Sequence, residues 1–366
     1  MPAAKNNYTE QRVGYLDGIR GLAILLVAAG HIFYSYYIFK AGWIGLNLFF
    51  ILSGYLITQR LYVHLAGSTG SYFRNFYLRR LLRIFPLYYG CLVIFFILLP
   101  VLYPGYFKFY NELFHLQGWF WAYASNWMMI VNGIPDQPVF FHFWSLAVEE
   151  QFYIIWPFLF LMLVKVKSMP AIIVVLLLSS VVCRNLIHNS FDSYINTGTA
   201  AEPLLLGALI TVLEKKKLLE KYYSWFIILT VLSVVGLGVI FINNPDLHIT
   251  NNWLLRAGYS AIDIIWSCGL VLCIINKNAS ERTRRFFSTD WMKWLGKYSY
   301  GIYVFHWIVL NLFIYKIETE LIQKGIDKYL VYFSVRIAGI LLILGISYLS
   351  YNLYEKRFLR LKKYFI

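Results

Sequence analysis

The stretch LDGIRGLAILLVAAGH, residues 16–31, is apolar enough to form most of a membrane-spanning helix, yet it contains Asp17, Arg20 and His31. Ionisable side chains are costly in lipid, so within a spanning helix they face protein or a water-filled cavity. Apolar runs of roughly 20 residues, the length that crosses a bilayer as a helix, recur from this stretch to the end of the chain. The chain is therefore predicted to be an all-α polytopic membrane protein.

The composition of the chain supports this fold class. Of its 366 residues, 60% are hydrophobic and 14% are charged, and the mean hydropathy is +0.60. A soluble protein of this length could not bury so much apolar surface in one core. The net charge of +15 comes from Lys and Arg clustered in loops, which indicates contact with phospholipid and no nucleic-acid partner. The four cysteines lie in apolar stretches without metal-ligand spacing, so neither a disulfide framework nor a metal site is predicted.

Apolar runs predict about ten spans with both termini in the cytoplasm, since the loops on that side are rich in Lys and Arg. The predicted spans are 14–35, 41–60, 84–103, 142–164, 170–188, 200–213, 222–243, 253–276, 297–316 and 330–353. The aromatic stretch 119–130 is too short to cross and is predicted to be an interfacial or re-entrant segment. We expect residues 1–366 to form one transmembrane domain in the inner (cytoplasmic) membrane. It would have a cytoplasmic segment at 1–13, a basic tail at 354–366 and no appended soluble domain.

One face of the first predicted helix carries both a cation and an imidazole. Eleven positions separate Arg20 from His31, so on an α-helix the two side chains share a face within roughly 20° and lie about 16 Å apart along the axis. Asp17 precedes Arg20 by three residues and is placed to pair with it. We predict that this face lines protein or a wet cavity, with Arg20 near the cytoplasmic end and His31 near the outer end.

The stretch FHFWSLAVEEQFYIIWP, residues 141–157, places Glu149 and Glu150 roughly 11 Å from the outer end of the fourth predicted helix, a depth similar to that of His31. A carboxylate beside an imidazole holds the tautomer and raises the basicity, as a general base requires. We predict His31 with Glu149 or Glu150 as the catalytic centre. The alternative is a polar network that only holds helices together.

Other intramembrane or juxtamembrane polar residues admit a structural and a functional interpretation. Asp263 and His306 lie in mid-span and are predicted either to form interhelical hydrogen bonds or to belong to a site. Arg79, Arg80 and Arg83 either anchor a cytoplasmic interfacial helix to anionic lipid or form a patch that binds phosphate. From the residues alone, lipid anchoring is favoured.

Five stretches of the chain resemble the acyltransferase 3 family, membrane-bound enzymes that O-acylate sugars and other molecules with hydroxyl groups. They are LDGIRGLAILLVAAGH (16–31), WIGLNLFFILSGYLIT (43–58), LRRLLRIFPLYY (78–89), WSLAVEEQFYIIWP (144–157) and LGKYSYGIYVFHW (295–307). The tail YEKRF is similar to the family's ending. A lone EEQFY would be a weak signal, whereas five blocks in the right order are a strong one.

The resemblance implies roles for particular residues. His31 would be the catalytic histidine and Arg20 its signature partner. The donor would be an acyl-CoA, usually acetyl-CoA, that enters from the cytoplasm as a co-substrate, and no tightly bound cofactor or metal is expected. The remaining implied site residues are Arg79, Arg80 and Arg83 at the CoA end, Ser53, Gly54 and Tyr55 in an SGY turn, and Glu149 and Glu150 as the acidic pair. Ser53 and Tyr55 are also candidate donors to the oxyanion.

Two departures from the family pattern concern polar positions. Asn47 stands where many members have Asp, which removes a charged role there. In TAAEPLLLG, residues 199–207, Ala200 and Glu202 replace the commoner Arg and Asp, which weakens the case for an acceptor contact from that helix. Some relatives also append an extracytoplasmic hydrolase-like domain for a second transfer step. Without one, this chain is expected to complete the transfer alone or to pass the acyl group to a separate protein.

The expected function is transfer of an acyl group, most simply acetyl, from acyl-CoA to a glycan hydroxyl, as on O-antigen, exopolysaccharide, a cell-wall sugar or a lipid-linked sugar. Expected partners are acyl-CoA, this acceptor and membrane lipids; the sequence does not address the oligomeric state. A transporter or flippase of acyl groups or lipid-linked sugars is the alternative, because the same buried charges would line a substrate path. A scaffold that binds partners through its loops ranks last.

Overall fold

The computed structural model describes residues 3–103, 105–275 and 278–365, and only the backbone of residues 3–13, 106 and 278–280. These residues form helices and no strands, and ten of the helices are long and apolar enough to span a membrane. We number their α-helical cores in chain order. They are α1 Ala3–Ile32, α2 Ile44–His64, α3 Thr69–Val93, α4 Phe143–Leu163, α5 Met169–Leu186, α6 Thr197–Lys215, α7 Leu219–Asn243, α8 Tyr259–Ile274, α9 Asp290–Val309 and α10 Lys328–Ser350.

The ten-span fold predicted from hydropathy is confirmed, and the differences lie at the helix ends. The third helix begins at Thr69, where the Ser68 side chain accepts a hydrogen bond from the amide of Ser71, and it runs on through a π-helical turn at Ile94–Leu98. It therefore contains the three arginines that were predicted to lie on a separate interfacial helix. Gly54 and its neighbours are also helical, since α2 continues through them without a turn.

The sixth span is regular even though Pro203 interrupts its hydrogen bonds. A proline removes the amide that would bond to the carbonyl four residues earlier, here that of Thr199. The hydroxyl of Ser180 on α5 donates to this carbonyl oxygen at 2.9 Å. A side chain of the neighbouring helix thus satisfies the carbonyl, and α6 extends from Thr197 to Lys215.

The segment predicted to be interfacial or re-entrant forms two short helices, Asn111–Trp121 and Ser125–Asn132. Between them Tyr123 adopts a left-handed backbone with φ of 52°. This conformation is uncommon for a residue with a side chain, and it turns the chain between the two helices. Neither helix is long enough to cross a bilayer.

The chain forms two compact units. The first consists of the chain up to Val63 together with Gln151–Ser299, and the second of His64–Glu150 together with the chain from Tyr300 onward. In the first unit, glycines bring α2 and α6 into backbone contact: a Cβ at Gly54 would overlap the carbonyl of Leu204, and one at Gly207 the carbonyl of Ile51. Small residues that allow such an approach are typical of helices packed within membranes.

The outward surface of α7 is apolar around most of its circumference. Leu232, Val235 and Ile242 are 60%, 58% and 81% exposed. A helix that exposes large aliphatic side chains in this way is stable in contact with lipid and not with water. Together with the ten apolar helices, this surface makes the chain a multi-pass membrane protein.

Candidate active site

The polar face of α1 has the predicted cation and imidazole. The Arg20 guanidinium pairs with the Asp17 carboxylate at 2.7 Å, which confirms the pairing predicted from their spacing of three residues. His31 lies in the last turn of α1 and is half-buried. Gly30 and Gly42 pack backbone to backbone beside it, so the chain entering α2 passes close to this end of α1.

Ser53 and Tyr55 lie at a different depth along the helices from His31. Tyr55 lies thirteen residues after Gly42 on the neighbouring helix, which corresponds to about 20 Å of helix rise. Its hydroxyl donates to the Glu214 carboxylate at 2.9 Å, and the Gln59 amide donates to the same oxygen. These groups lie nearer in depth to Arg20 than to His31, so neither hydroxyl is placed to stabilise an oxyanion that forms at His31.

In the second unit the acidic pair lies in the second turn of α4. Glu149 is half-buried, whereas Glu150 is only 8% exposed. Among the described residues, the Oε1 atom of Glu150 has no hydrogen-bond partner. The cation that attracts the Glu150 carboxylate most strongly is Arg80. A buried carboxylate with an unsatisfied oxygen is costly unless a proton, a water or a substrate donor meets it, so Glu150 is a candidate site residue.

Four tyrosines lie near Glu150, and the sequence analysis did not single them out. Their phenol groups, those of Tyr88, Tyr89, Tyr123 and Tyr300, all interact electrostatically with the carboxylate. Three of the hydroxyls donate to backbone carbonyls of this unit, at 2.7–3.0 Å.

Tyr123 is the member of this group that helix periodicity could not predict, because a left-handed turn between the two short helices presents it. Its ring stacks on Tyr88 at 4.0 Å between centroids. Burial raises the pKa of the Tyr123 phenol, which therefore stays protonated and can serve as a hydrogen-bond donor. The signal that would have found it is its place in the aromatic stretch 119–130, which is predicted to be an interfacial or re-entrant segment.

Each of the three arginines of α3 has a partner within the second unit. Arg79 donates to the backbone carbonyls of Lys362 and Phe365, at 3.2 and 2.8 Å. The Arg80 charge acts on the buried Glu150, and the Arg83 charge acts on the buried Glu355. Carbonyl groups do not neutralise a guanidinium, so Arg79 keeps its positive charge beside the basic tail.

His306 is fully buried beside a second histidine. Its Nδ1 atom donates to the carbonyl of Tyr303 at 2.6 Å, and its ring packs against His142 at 5.1 Å. The Nε2 atom of His142 donates to the carbonyl of Val304 at 3.0 Å. Of the two interpretations that the sequence left open for His306, these backbone bonds favour a structural one.

Asp263 meets Asn47 in a buried polar group of the first unit. Asn47 Nδ2 donates to Asp263 Oδ1 at 2.6 Å, and both residues are at most 1% exposed. Close by, Arg184 of α5 pairs with Glu202 of α6 and donates to Ser260 at 2.5 Å. We call the residues Asn47, Arg184, Glu202, Asp263 and Ser267 the Asp263 cluster. In the described parts of the chain, no group of three or more His, Cys, Asp and Glu side chains is arranged to hold a metal ion.

Comparison with known proteins places these features in a family. A family model described as an acyltransferase domain matches residues 13–352, which include the α1 face, the acidic pair, the arginines and the Asp263 cluster. The chain belongs to the acyltransferase 3 family. The resemblance found in the five sequence blocks is thereby confirmed.

The family members with which it aligns include named acetyltransferases. Peptidoglycan O-acetyltransferase OatA of Listeria monocytogenes is 28% identical over 326 residues, which cover 83% of this chain and 50% of that protein. O-acetyltransferase OatA of Staphylococcus aureus is 26% identical over 362 residues, which cover 95% of this chain and 57% of that protein. The chain thus spans about half the length of these relatives. No solved structure matches it.

Proposed function

We propose that this acyltransferase 3 protein transfers an acetyl group from acetyl-CoA to a hydroxyl of a cell-wall glycan at the cell membrane. The observation that carries the proposal is the α1 face, where a paired Arg20 and a half-buried His31 stand about 16 Å apart along one helix of a family acyltransferase domain. Peptidoglycan is the acceptor class to which the names of the relatives point.

The donor approaches from the Arg20 end of α1. The phosphates of CoA bind Arg79 and the exposed cations of the tail, where guanidinium groups match phosphate oxygens in pairs. Along the α1 face, the thioester is delivered to the depth of His31. Ser53 and Tyr55 lie along this path and not at its end. The charges of Arg80 and Arg83 act on the buried Glu150 and Glu355, so these two arginines balance carboxylates of the protein rather than bind the donor.

At the outer end, His31 acts as the general base. It removes the proton of the acceptor hydroxyl, whose oxygen forms a bond to the thioester carbonyl carbon. The carbon–sulfur bond then breaks, and the proton on His31 passes to the departing thiolate. An acyl-enzyme intermediate would divide the same chemistry into two steps without changing this residue.

The proposal is tested by supplying the purified chain, in detergent, with isotopically labelled acetyl-CoA and chitotetraose, a soluble oligomer of N-acetylglucosamine. We expect an oligomer that carries labelled acetyl and an equal amount of free CoA thiol. Movement of acetyl groups across a proteoliposome without thiol release would instead identify a transporter. The acceptor in the cell is identified by mass spectrometry of a deletion strain. Its wall glycans should lack the added mass of an acetyl group that wild-type glycans carry.

A further inference from the structure

Within the first unit, Asn47 of the Asp263 cluster lies between the depths of His31 and Arg20. Asn47 follows Gly42 by five residues, which is roughly 8 Å of helix rise, and Gly42 touches Gly30 next to His31. A glycan ring whose hydroxyl reacts at His31 would reach this depth.

Four buried polar atoms of the cluster lack a hydrogen-bond partner among the described residues. They are Asn47 Oδ1, Asp263 Oδ2, Ser267 Oγ and Arg184 Nε. Nine-tenths or more of each of these residues is buried. Unsatisfied polar atoms are uncommon in a folded protein, and four in one cluster indicate that a polar ligand or water meets them.

The polar residues of the cluster follow the period of the helices that carry them. Tyr259, Asp263 and Ser267 follow one another at four-residue spacing, so they form a stripe along one face of α8. Across from it, Trp43 and Asn47 have the same spacing. The Trp43 and Tyr259 rings stack at 6.1 Å with an angle of 6°, one turn from the Asn47–Asp263 bond.

The charged and hydrogen-bonding groups of the Asp263 cluster indicate which class of ligand fits it. The cluster contains two carboxylates, Asp263 and Glu202, and one guanidinium, Arg184, so its formal charge does not favour an anion. Two of the unsatisfied atoms accept hydrogen bonds, one donates, and the serine hydroxyl does either. Hydroxyl groups of a neutral sugar both donate and accept hydrogen bonds, so they can pair with all four of these atoms. Aromatic rings complement the apolar faces of a sugar.

We propose that Asn47, Asp263 and Ser267, one to two helical turns below the Trp43–Tyr259 pair, bind a sugar ring of the acceptor glycan, so that the adjoining part of the glycan reaches the depth of His31. This proposal rests on the proposed function, to which it adds the acceptor site. Both departures from the family pattern lie in this cluster, where Asn47 is paired with Asp263 and Glu202 with Arg184.

The test measures binding and turnover separately, with chitotetraose as the probe. Ser267→Ala removes one hydroxyl and preserves packing, so the variant is expected to fold. Loss of one hydrogen bond should weaken binding of the probe, followed by tryptophan fluorescence, and raise its KM, each by about threefold to tenfold. The KM for acetyl-CoA should not change. Asn47→Ala should show the same pattern with a larger effect.

Ser347→Ala is the matched control, because Ser347 is a buried helical serine whose hydroxyl donates to the Ile343 carbonyl of its own helix. It should leave both KM values at the wild-type level. If the wild-type chain acetylates the probe while Ser267→Ala and Asn47→Ala leave its KM and binding unchanged, water fills the cluster and this inference is wrong, although the proposed function stands. If wild-type protein binds the probe and the variants weaken that binding, but no acetyl is transferred, the site is supported and the proposed function fails.

Discussion

At the residue scale, Arg184 is a charged side chain that is almost completely buried. It is 1% exposed and pairs with Glu202, which is 5% exposed, while its guanidinium lies over the Tyr259 ring at 4.7 Å. Removing two charges from water is costly, and the pair offsets that cost only while both partners are present. The effect of losing one partner should therefore exceed the effect of losing both.

This asymmetry predicts the stability of three variants. Glu202→Leu removes the carboxylate that pairs with the buried Arg184 guanidinium and should lower the free energy of unfolding by about 3–5 kcal/mol. Arg184→Met combined with Glu202→Leu should recover most of that loss. The exposed pair of Arg285 and Glu281 is the control, and Arg285→Ala should leave the melting temperature unchanged. Thermal melting in detergent measures all of them, and a double variant less stable than Glu202→Leu would contradict this account.

At the element scale, α2 and α6 pack without side chains between them at Gly54 and Gly207. Because a Cβ at either position would meet carbonyl groups of the facing helix, the backbones would have to separate. The same contact sets the position of α2, and with it the depths of Asn47, Ser53 and Tyr55. A change in this packing should therefore affect both stability and activity.

Gly207→Ala tests this packing, with Gly238→Ala as its control. A Cβ at Gly238 of α7 has no heavy atom within 4 Å, so alanine there should be tolerated or stabilise the helix slightly, by up to ~1 kcal/mol. Gly207→Ala should lower the melting temperature clearly and reduce acetyl transfer. Equal melting temperatures for the two variants would show that α2 and α6 do not pack so closely.

At the scale of the whole molecule, hydropathy and Lys/Arg placement predict the number and order of the spans because lipid imposes one length on every helix. They do not predict where a helix extends beyond its apolar part, and so the arginines of α3 were placed on a separate element. The Asp17–Arg20 pair was predictable, since it depends only on spacing within one helix. Contacts between helices, such as that of Asn47 with Asp263, have no such spacing and required the structure.

The family blocks imply more candidate site residues than the spacing within helices does. They do not say why Asn47 and Glu202 depart from the family pattern. Asn47 and Glu202 were recognised as unusual from sequence alone. Only their pairing with Asp263 and Arg184 shows that the cluster is internally complementary. The pairing of His31 with Glu149 or Glu150 stays a prediction, as do the single-domain organisation and the cytoplasmic position of both termini.

The central claim is that the His31 imidazole is the base for acetyl transfer, and purified His31→Ala in detergent tests it most directly. The measurement is acceptor-dependent release of CoA thiol from acetyl-CoA, with His188→Ala, which changes an exposed histidine, as the control. General bases contribute about 10²–10⁴-fold, so we expect His31→Ala to release thiol at least about 100-fold more slowly than wild type, while His188→Ala keeps the wild-type rate. A His31→Ala protein that folds as wild type and releases thiol at the wild-type rate would contradict the account.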